Sequence, residues 1–346
     1  MLVRENAPLA PLTTLGLGGP AGRLVCAYDA DEVVDAVRAE PSALVLGGGS
    51  NVVLPDEGVP GTVVRVCSRG LAARHQDGAV LVEAAAGESW DGLTAHCAEA
   101  GLTGIEALAG IPGLVGATPV QNVGAYGQEV AQVLESVRVY DRRDRQRRAL
   151  PAGECGFGYR TSVFKADPDR WVVLSVVLRL EAGALSAPVR YAELARALDV
   201  GVGDRAPLEE VRAAVLRLRR GKGMVVDPAD PDSRSAGSFF TNPLLSSDEA
   251  AALRTRAVGH PPLPEYVEPG GRVKVSAAWL IEQAGFPRGY GAGSVGISGK
   301  HSLALVHRGG GTSADLVALA REVRDGVQRV FGVTLVPEPV IVGDRL

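Results

Sequence analysis

Residues 42–56 read SALVLGGGSNVVLPD, and this stretch decides how the chain begins to fold. The hydrophobic run Ala43-Leu44-Val45-Leu46 feeds Gly47, Gly48 and Gly49, then Ser50 and Asn51, then a second hydrophobic run. Glycine directly after a strand marks a sharp turn or a place where something approaches the backbone closely, and phosphate is the usual visitor. The pattern is not G-x-G-x-x-G, because Val52 stands where the third glycine belongs, and no Gly-Lys-Ser/Thr comes after it to make a P-loop. Residues 52–54 are strand-like, so no helix N-terminus waits for a pyrophosphate as it does in a Rossmann unit. Two readings stay open: a nest of backbone N–H groups with Ser50 and Asn51 adding side-chain donors, or a plain glycine turn between strands.

Ahead of the glycines, Leu24–Ala27 reads as a short strand, Asp31 as the cap of a helix running to about Ala39, and 43–46 as the strand entering the loop, so the start is βαβ. Residues 52–54, 62–66, 80–86, 135–141 and 171–180 read as strands, the last hydrophobic enough to be central. Ser89 caps a helix with Trp90, Leu93 and Cys97 on one face, closed by Gly101. Leu208, Val211, Val215 and Leu218 stripe another helix, and Ser246-x-x-Glu249 forms a capping box. Leu316 to Val330 mark a long final helix leading to a last strand and VPEPVIVG. The chain is expected to divide into three parts, 1–68, 69–220 and 221–346.

The chain has 346 residues, 46% hydrophobic and 22% charged, with net charge -4, which gives no global attraction to nucleic acid or anionic membrane. No run approaches ~18 apolar residues and the first ten residues hold no signal-peptide core, so neither membrane insertion nor export is expected. Cys26, Cys67, Cys97 and Cys155 are widely spaced and read as thiols of a reducing, cytoplasmic compartment, with no metal framework.

A second glycine-rich stretch, AGIPGLVGATPVQNVGAYGQEV at 109–130, is too rich in Gly, Pro, Asn and Gln for a regular helix. Gly113, Gly116, Gly124 and Gly127 let backbone pass close to a large flat ligand, and Gln121, Asn122 and Tyr126 supply polar edges. Two such loops suggest a dinucleotide with a pyrophosphate and a planar ring. In GFGYRTSVFK (156–165), Arg160 beside Tyr159 is either an exposed ion-pair residue or a guanidinium fork for a carboxylate. Ser238 in AGSFFTNP is not in a nucleophile elbow, and donating a proton is as plausible for it as attack. Glu338 in VPEPVIV has an apolar surround, which requires a partner or a proton. Arg217, Arg219, Arg220 and Lys222 cluster at a helix C-terminus; the helix dipole accounts for Arg217, while Lys222 stays open as an anion contact.

Together, TTLGLGGPA, LGGGSNVVL, IPGLVGATPVQNVGAYGQE, YRTSVFK, SAGSFFTNP and PEP, in that order through nearly the whole chain, resemble the UDP-N-acetylenolpyruvoylglucosamine reductase family. The resemblance implies an α+β fold, with an FAD-binding part of the vanillyl-alcohol-oxidase/PCMH type followed by a smaller α+β substrate-binding domain. It implies FAD and NADPH as cofactors, UDP-N-acetylglucosamine enolpyruvate as substrate, and a place in peptidoglycan precursor synthesis. Gly47, Gly48, Gly49, Ser50 and Asn51 would hold the pyrophosphate. Ile111, Gly113, Gly116, Thr118, Gln121, Asn122, Gly124, Ala125 and Tyr126 would line the flavin. The catalytic residues fall on Arg160, Ser238 and Glu338, and the substrate contacts on Tyr159, Tyr191, Lys222, Asn242 and His301, with Tyr191 the substrate-covering tyrosine of one subclass. No histidine precedes His75 and none lies in either glycine loop, so the FAD is expected to be non-covalent. The expected assembly is a monomer or weak dimer. The rival readings are an FAD-linked oxidase of the same fold and a non-catalytic binder of flavin or sugar nucleotide.

Overall fold

The computed structural model describes residues 1–268 and 270–343. They form two compact units that interleave in sequence: one from Met1–Ala7, Ala21–Gly49 and Val59–Gly221, the other from Pro8–Pro20, Ser50–Gly58 and Lys222 onward.

The first unit opens with the expected βαβ. The strands Pro20–Ala27 and Leu44–Leu46 both pair in parallel with Val59–Val66, which lies between them, and Leu2–Pro8 adds the outer edge. The crossover helix Ala30–Ala39 buries Val33, Val34, Ala36 and Val37. Its cap is Asp29 rather than Asp31: Asp29 has extended backbone, and its side chain accepts from the Glu32 N–H at 2.8 Å, leaving Asp31 inside the first turn.

The larger sheet of this unit runs Gln146–Pro151, Leu134–Asp141, Trp171–Ala182, Ala79–Ala85, Leu71–Gln76, all antiparallel. Trp171–Ala182 is central, and every residue from 172 to 178 is buried, because both its faces are covered. Ser89 caps Trp90–Glu99 by accepting from Gly92 N–H at 3.2 Å. The helix Leu208–Gly221 buries Leu208, Val211, Ala214, Val215 and Leu216.

The second unit has its own core, in which Leu15, Leu17 and Val53 join Phe239, Phe240, Leu280, Leu316 and Phe331. Its helices are Ser247–Arg256, Ala277–Gln283 and Ser313–Phe331; the capping box of Ser246 and Glu249 is present. The two N-terminal insertions are stitched in by specific bonds. Thr14 Oγ1 donates to Ser235 O at 2.6 Å, and the Leu15 carbonyl accepts from His307 Nδ1 at 3.0 Å. Asp56 accepts from the Ser313 and Ala314 N–H groups, 2.7 and 2.9 Å, at the start of the last helix. Val52–Val53 pairs in parallel with Val340–Ile341. That last strand falls inside VPEPVIVG, not ahead of it, since Pro337 and Pro339 have no N–H to donate and regular pairing starts only beyond them.

Candidate active site

In the first unit the two glycine-rich loops meet backbone to backbone. A Cβ on Gly48 would lie 2.7 Å from the Cα of Gly113, so this glycine is required by the neighbouring loop as well as by any ligand. Gly49 is buried and has φ +61°. Among the described residues no protein group accepts from the N–H groups of Gly48 or Gly49. Bare backbone with available donors is the donor set that a pyrophosphate needs, and the site therefore fits FAD on its own geometry.

The loop beyond Gly113 is built from short turns. Thr118 Oγ1 donates to Val115 O at 2.8 Å, Ile111 packs against the core, and Gln121 is half-buried. Gly124–Ala125 and Gln128–Glu129 form a small hairpin whose tip is Tyr126–Gly127. Both tip residues have positive φ, +48° and +84°, the geometry that a two-residue hairpin turn demands. Asn122, with φ +47°, commits its side chain to the protein: Nδ2 donates to Glu129 Oε2 and Gly158 O, and Oδ1 accepts from Ala131 N–H.

Arg160 sits with Tyr159 in the tight turn between Gly158 and Thr161 and also has positive φ, +53°. Its Nη1 donates to Asn122 O at 3.2 Å and its Nη2 to Gly124 O at 2.8 Å, while its guanidinium carbon lies 5.4 Å from the Tyr159 ring centre. Left-handed backbone at three non-glycine residues of one cluster costs about 1–3 kcal/mol each and concentrates where function is served. Tyr191, exposed at the start of the helix Ala192–Leu198, packs edge-to-face on Tyr126 with ring centres 5.6 Å apart. Burial pushes the Tyr126 phenol up to about 12, with Arg219 pulling the other way. Sequence reading gave Arg219 no role of its own. Burial lowers its guanidinium to about 10 against the opposing pull of Tyr126 and Asp91. The available signal was its spacing: it stands four residues after the buried Val215 and is itself half-buried.

In the second unit Asn51, Ser238 and Glu338 are brought together. The Glu338 N–H donates to Phe239 O at 2.8 Å, so Ser238 and Glu338 lie on two paired segments beside the buried Phe239 and Phe240. Asn51 Nδ2 donates to Glu338 O at 3.4 Å, and Val340 N–H donates to Asn51 O at 3.1 Å. Ser50 and Ser238 are half-buried. Lys222, Asn242 and His301 lie on three other segments of this unit. Asn242 Oδ1 accepts from Ala277 N–H at 2.9 Å, and the His301 N–H donates to Ser298 Oγ at 3.2 Å. All four cysteines are unbridged.

Comparison with known proteins agrees with this geometry. Residues 21–149 match the FAD binding domain family, and residues 228–342 match the family described as UDP-N-acetylenolpyruvoylglucosamine reductase, C-terminal domain. The UDP-N-acetylenolpyruvoylglucosamine reductase of Thermobifida fusca is 58% identical over 351 residues, covering 99% of this chain and 98% of its own. That of Streptomyces coelicolor is 56% identical over 353 residues, covering 99% and 91%. The crystal structure of the corresponding reductase (MurB) from Thermus caldophilus superposes with a TM-score of 0.67 at 29% identity, covering 98% of this chain and 99% of its own. Fold and site thus define an FAD-dependent oxidoreductase of α+β class, an FAD-binding domain followed by a smaller C-terminal one. Within that class, the chain belongs to the UDP-N-acetylenolpyruvoylglucosamine reductase family, which places it in peptidoglycan precursor synthesis.

Proposed function

We propose that this enzyme uses NADPH to reduce UDP-N-acetylglucosamine enolpyruvate to UDP-N-acetylmuramate. The observation that carries the proposal furthest is the docking of Arg160 on the carbonyls of Asn122 and Gly124, which presets a cation beside the flavin-lining loop. Gly47, Gly48, Gly49, Ser50 and Asn51 would hold the pyrophosphate of FAD, and the 111–126 loop its ring. The chemistry that bound FAD supplies is hydride relay from NADPH to C3 of the enolpyruvyl group.

The charge that then develops dictates the part played by this chain's residues. Hydride arrival at C3 leaves C2 carbanion-like, and the charge spreads into the adjacent carboxylate as an enediolate. Arg160 stabilises that growing charge, and a preorganised donor of this type is worth on the order of 100- to 1,000-fold in rate. Ser238 gives its proton to C2; a serine hydroxyl is a weak acid, but a carbanion is a strong base. Glu338 is held protonated in the substrate complex, because an ionised carboxylate would repel the enediolate. Its role makes the substrate half-reaction slow as pH rises through the neutral range, and a flat profile there would remove it. Tyr159, Tyr191, Lys222, Asn242 and His301 contact the substrate.

The test is Ser238→Ala with the two half-reactions measured separately. Flavin reduction by NADPH should persist while reduction of the enolpyruvyl sugar nucleotide collapses. Equal loss in both would sink the proton-donor role.

A further inference from the structure

Glu106 is 2% exposed and is a carboxylate for which the proposed chemistry has no use. Among the described residues no cation pairs with it; four donors satisfy it instead. Gly104 N–H donates to Oε2 at 2.6 Å. Oε1 accepts from Ala187 N–H at 2.7 Å, from Gln128 Nε2 at 2.9 Å and from Thr103 Oγ1 at 3.4 Å. The orientation of the Gln128 amide is fixed in turn, since its Oε1 accepts from Ala107 N–H at 2.8 Å.

Two of the three arms on Oε1, those from Gln128 and Ala187, lead to two surfaces that touch. Gln128 comes directly after the hairpin tip Tyr126–Gly127, and Ala187 lies four residues before Tyr191. Across this contact the Tyr126 and Tyr191 rings pack edge-to-face, and a Cβ on Gly127 would lie 2.9 Å from that of Arg190. The segment 183–207 also has internal ties: Ser186 N–H to Ala206 O, Val189 N–H to Asp204 O and Gly203 N–H to Val189 O, each 2.8 Å. Those bonds shape the segment. The Glu106–Ala187 bond leaves it and fixes it to the body of the unit.

We infer that Glu106 is a positioning residue: its one buried carboxylate clamps the Tyr126 hairpin and the Tyr191 segment together and so sets affinity for the sugar-nucleotide substrate, not electron delivery from NADPH. The inference rests on the assignment of Tyr191 to substrate made above. Because both carboxylate oxygens accept from N–H donors, a glutamine here must turn its NH2 toward another donor. The isosteric change therefore breaks an arm without leaving a cavity.

The experiment compares the FAD-loaded wild type, Glu106→Gln, Tyr191→Ala and the double variant. For Glu106→Gln we expect KM for UDP-N-acetylglucosamine enolpyruvate to rise about tenfold, the scale of a lost hydrogen bond to a charged group. Flavin reduction by NADPH should stay within about twofold, and limited proteolysis within 183–207 should accelerate. In the Tyr191→Ala background the same change should add less than about twofold, as coupled residues do. Loss in both half-reactions alike, or unchanged cleavage of 183–207, overturns the inference. An unchanged KM in Tyr191→Ala overturns the assignment of Tyr191 instead, and the cleavage rate then still decides for or against the clamp. If Glu106→Gln does not accumulate as a folded flavoprotein, Gln128→Leu removes one arm only and carries the same expectation at smaller size.

Discussion

Arg160 Nη2 donates to the carbonyl of Gly124 at 2.8 Å, and the same guanidinium reaches the Asn122 carbonyl through Nη1. The arginine is thus oriented by the backbone of the loop expected to line the flavin, and it bears positive φ to get there. A lysine is a point charge and cannot bridge two carbonyls with a planar fork. Arg160→Lys should slow the substrate half-reaction on the order of 100- to 1,000-fold while leaving flavin reduction by NADPH nearly intact. Rapid-mixing measurement of each half-reaction checks this; parallel loss would mean that the arginine only holds the loop.

Gly48 and Gly113 offer a second test. With Gly113 Cα 2.7 Å from where a Cβ would stand, Gly48→Ala must push two backbones apart. The expected cost is about 1–3 kcal/mol, the usual penalty for overpacking, together with a lower content of bound flavin. Thermal melting and the flavin-to-protein absorbance ratio measure the two effects; a variant that melts and binds like wild type would show that the loops separate freely.

Asp141 gives a pH-dependent prediction away from the site. Its carboxylate accepts from Arg170 Nη2 at 2.7 Å and Nε at 3.1 Å, and from the Asp144 and Arg143 N–H groups. Led by the Arg170 hydrogen bonds, these partners hold its pKa down at about 2 against the effect of burial. A depressed folded pKa stabilises the protein above the unfolded value of about 3.9 and loses that contribution as pH falls through the folded one. The stability gap between wild type and Asp141→Asn should be full at neutral pH and shrink as pH drops from about 4 toward about 2. Denaturant titrations across that range test it, and a gap as wide at the bottom of the range as at neutral pH would contradict it.

Much of this was legible in the residues. Strand and helix periods located the central strand at 171–180, two residues short of its observed end, and the helices capped by Ser89 and Ser246, because local patterning and capping chemistry suffice there. Glycine density marked 47–49 as a turn and excluded a regular helix from 109–130, and both segments fold that way. The pairing of Val52–Val53 with Val340–Ile341 was hidden, since no local feature of 8–20 or 50–58 marks them as packing with residues beyond 222. For the same reason the ties among Asn51, Phe239 and Glu338 come only with tertiary structure. Arg219 was masked by its neighbours: within LRLRRGK only helical phase separates the half-buried Arg219 from the exposed Arg217 and Arg220. Glu106 gave no signal at all, because a carboxylate satisfied by two backbone N–H groups and two side chains scattered along the chain has no sequence pattern.

In the proposed reaction, electrons from NADPH end on the enolpyruvyl sugar nucleotide. The direct measurement is NADPH consumption by the FAD-loaded protein with and without UDP-N-acetylglucosamine enolpyruvate, with oxygen uptake followed in parallel. Fast consumption is expected only when the sugar nucleotide is present, with one NADPH used per molecule reduced and little oxygen uptake. Consumption that ignores the sugar nucleotide and tracks oxygen would contradict it and leave the chain an oxidase.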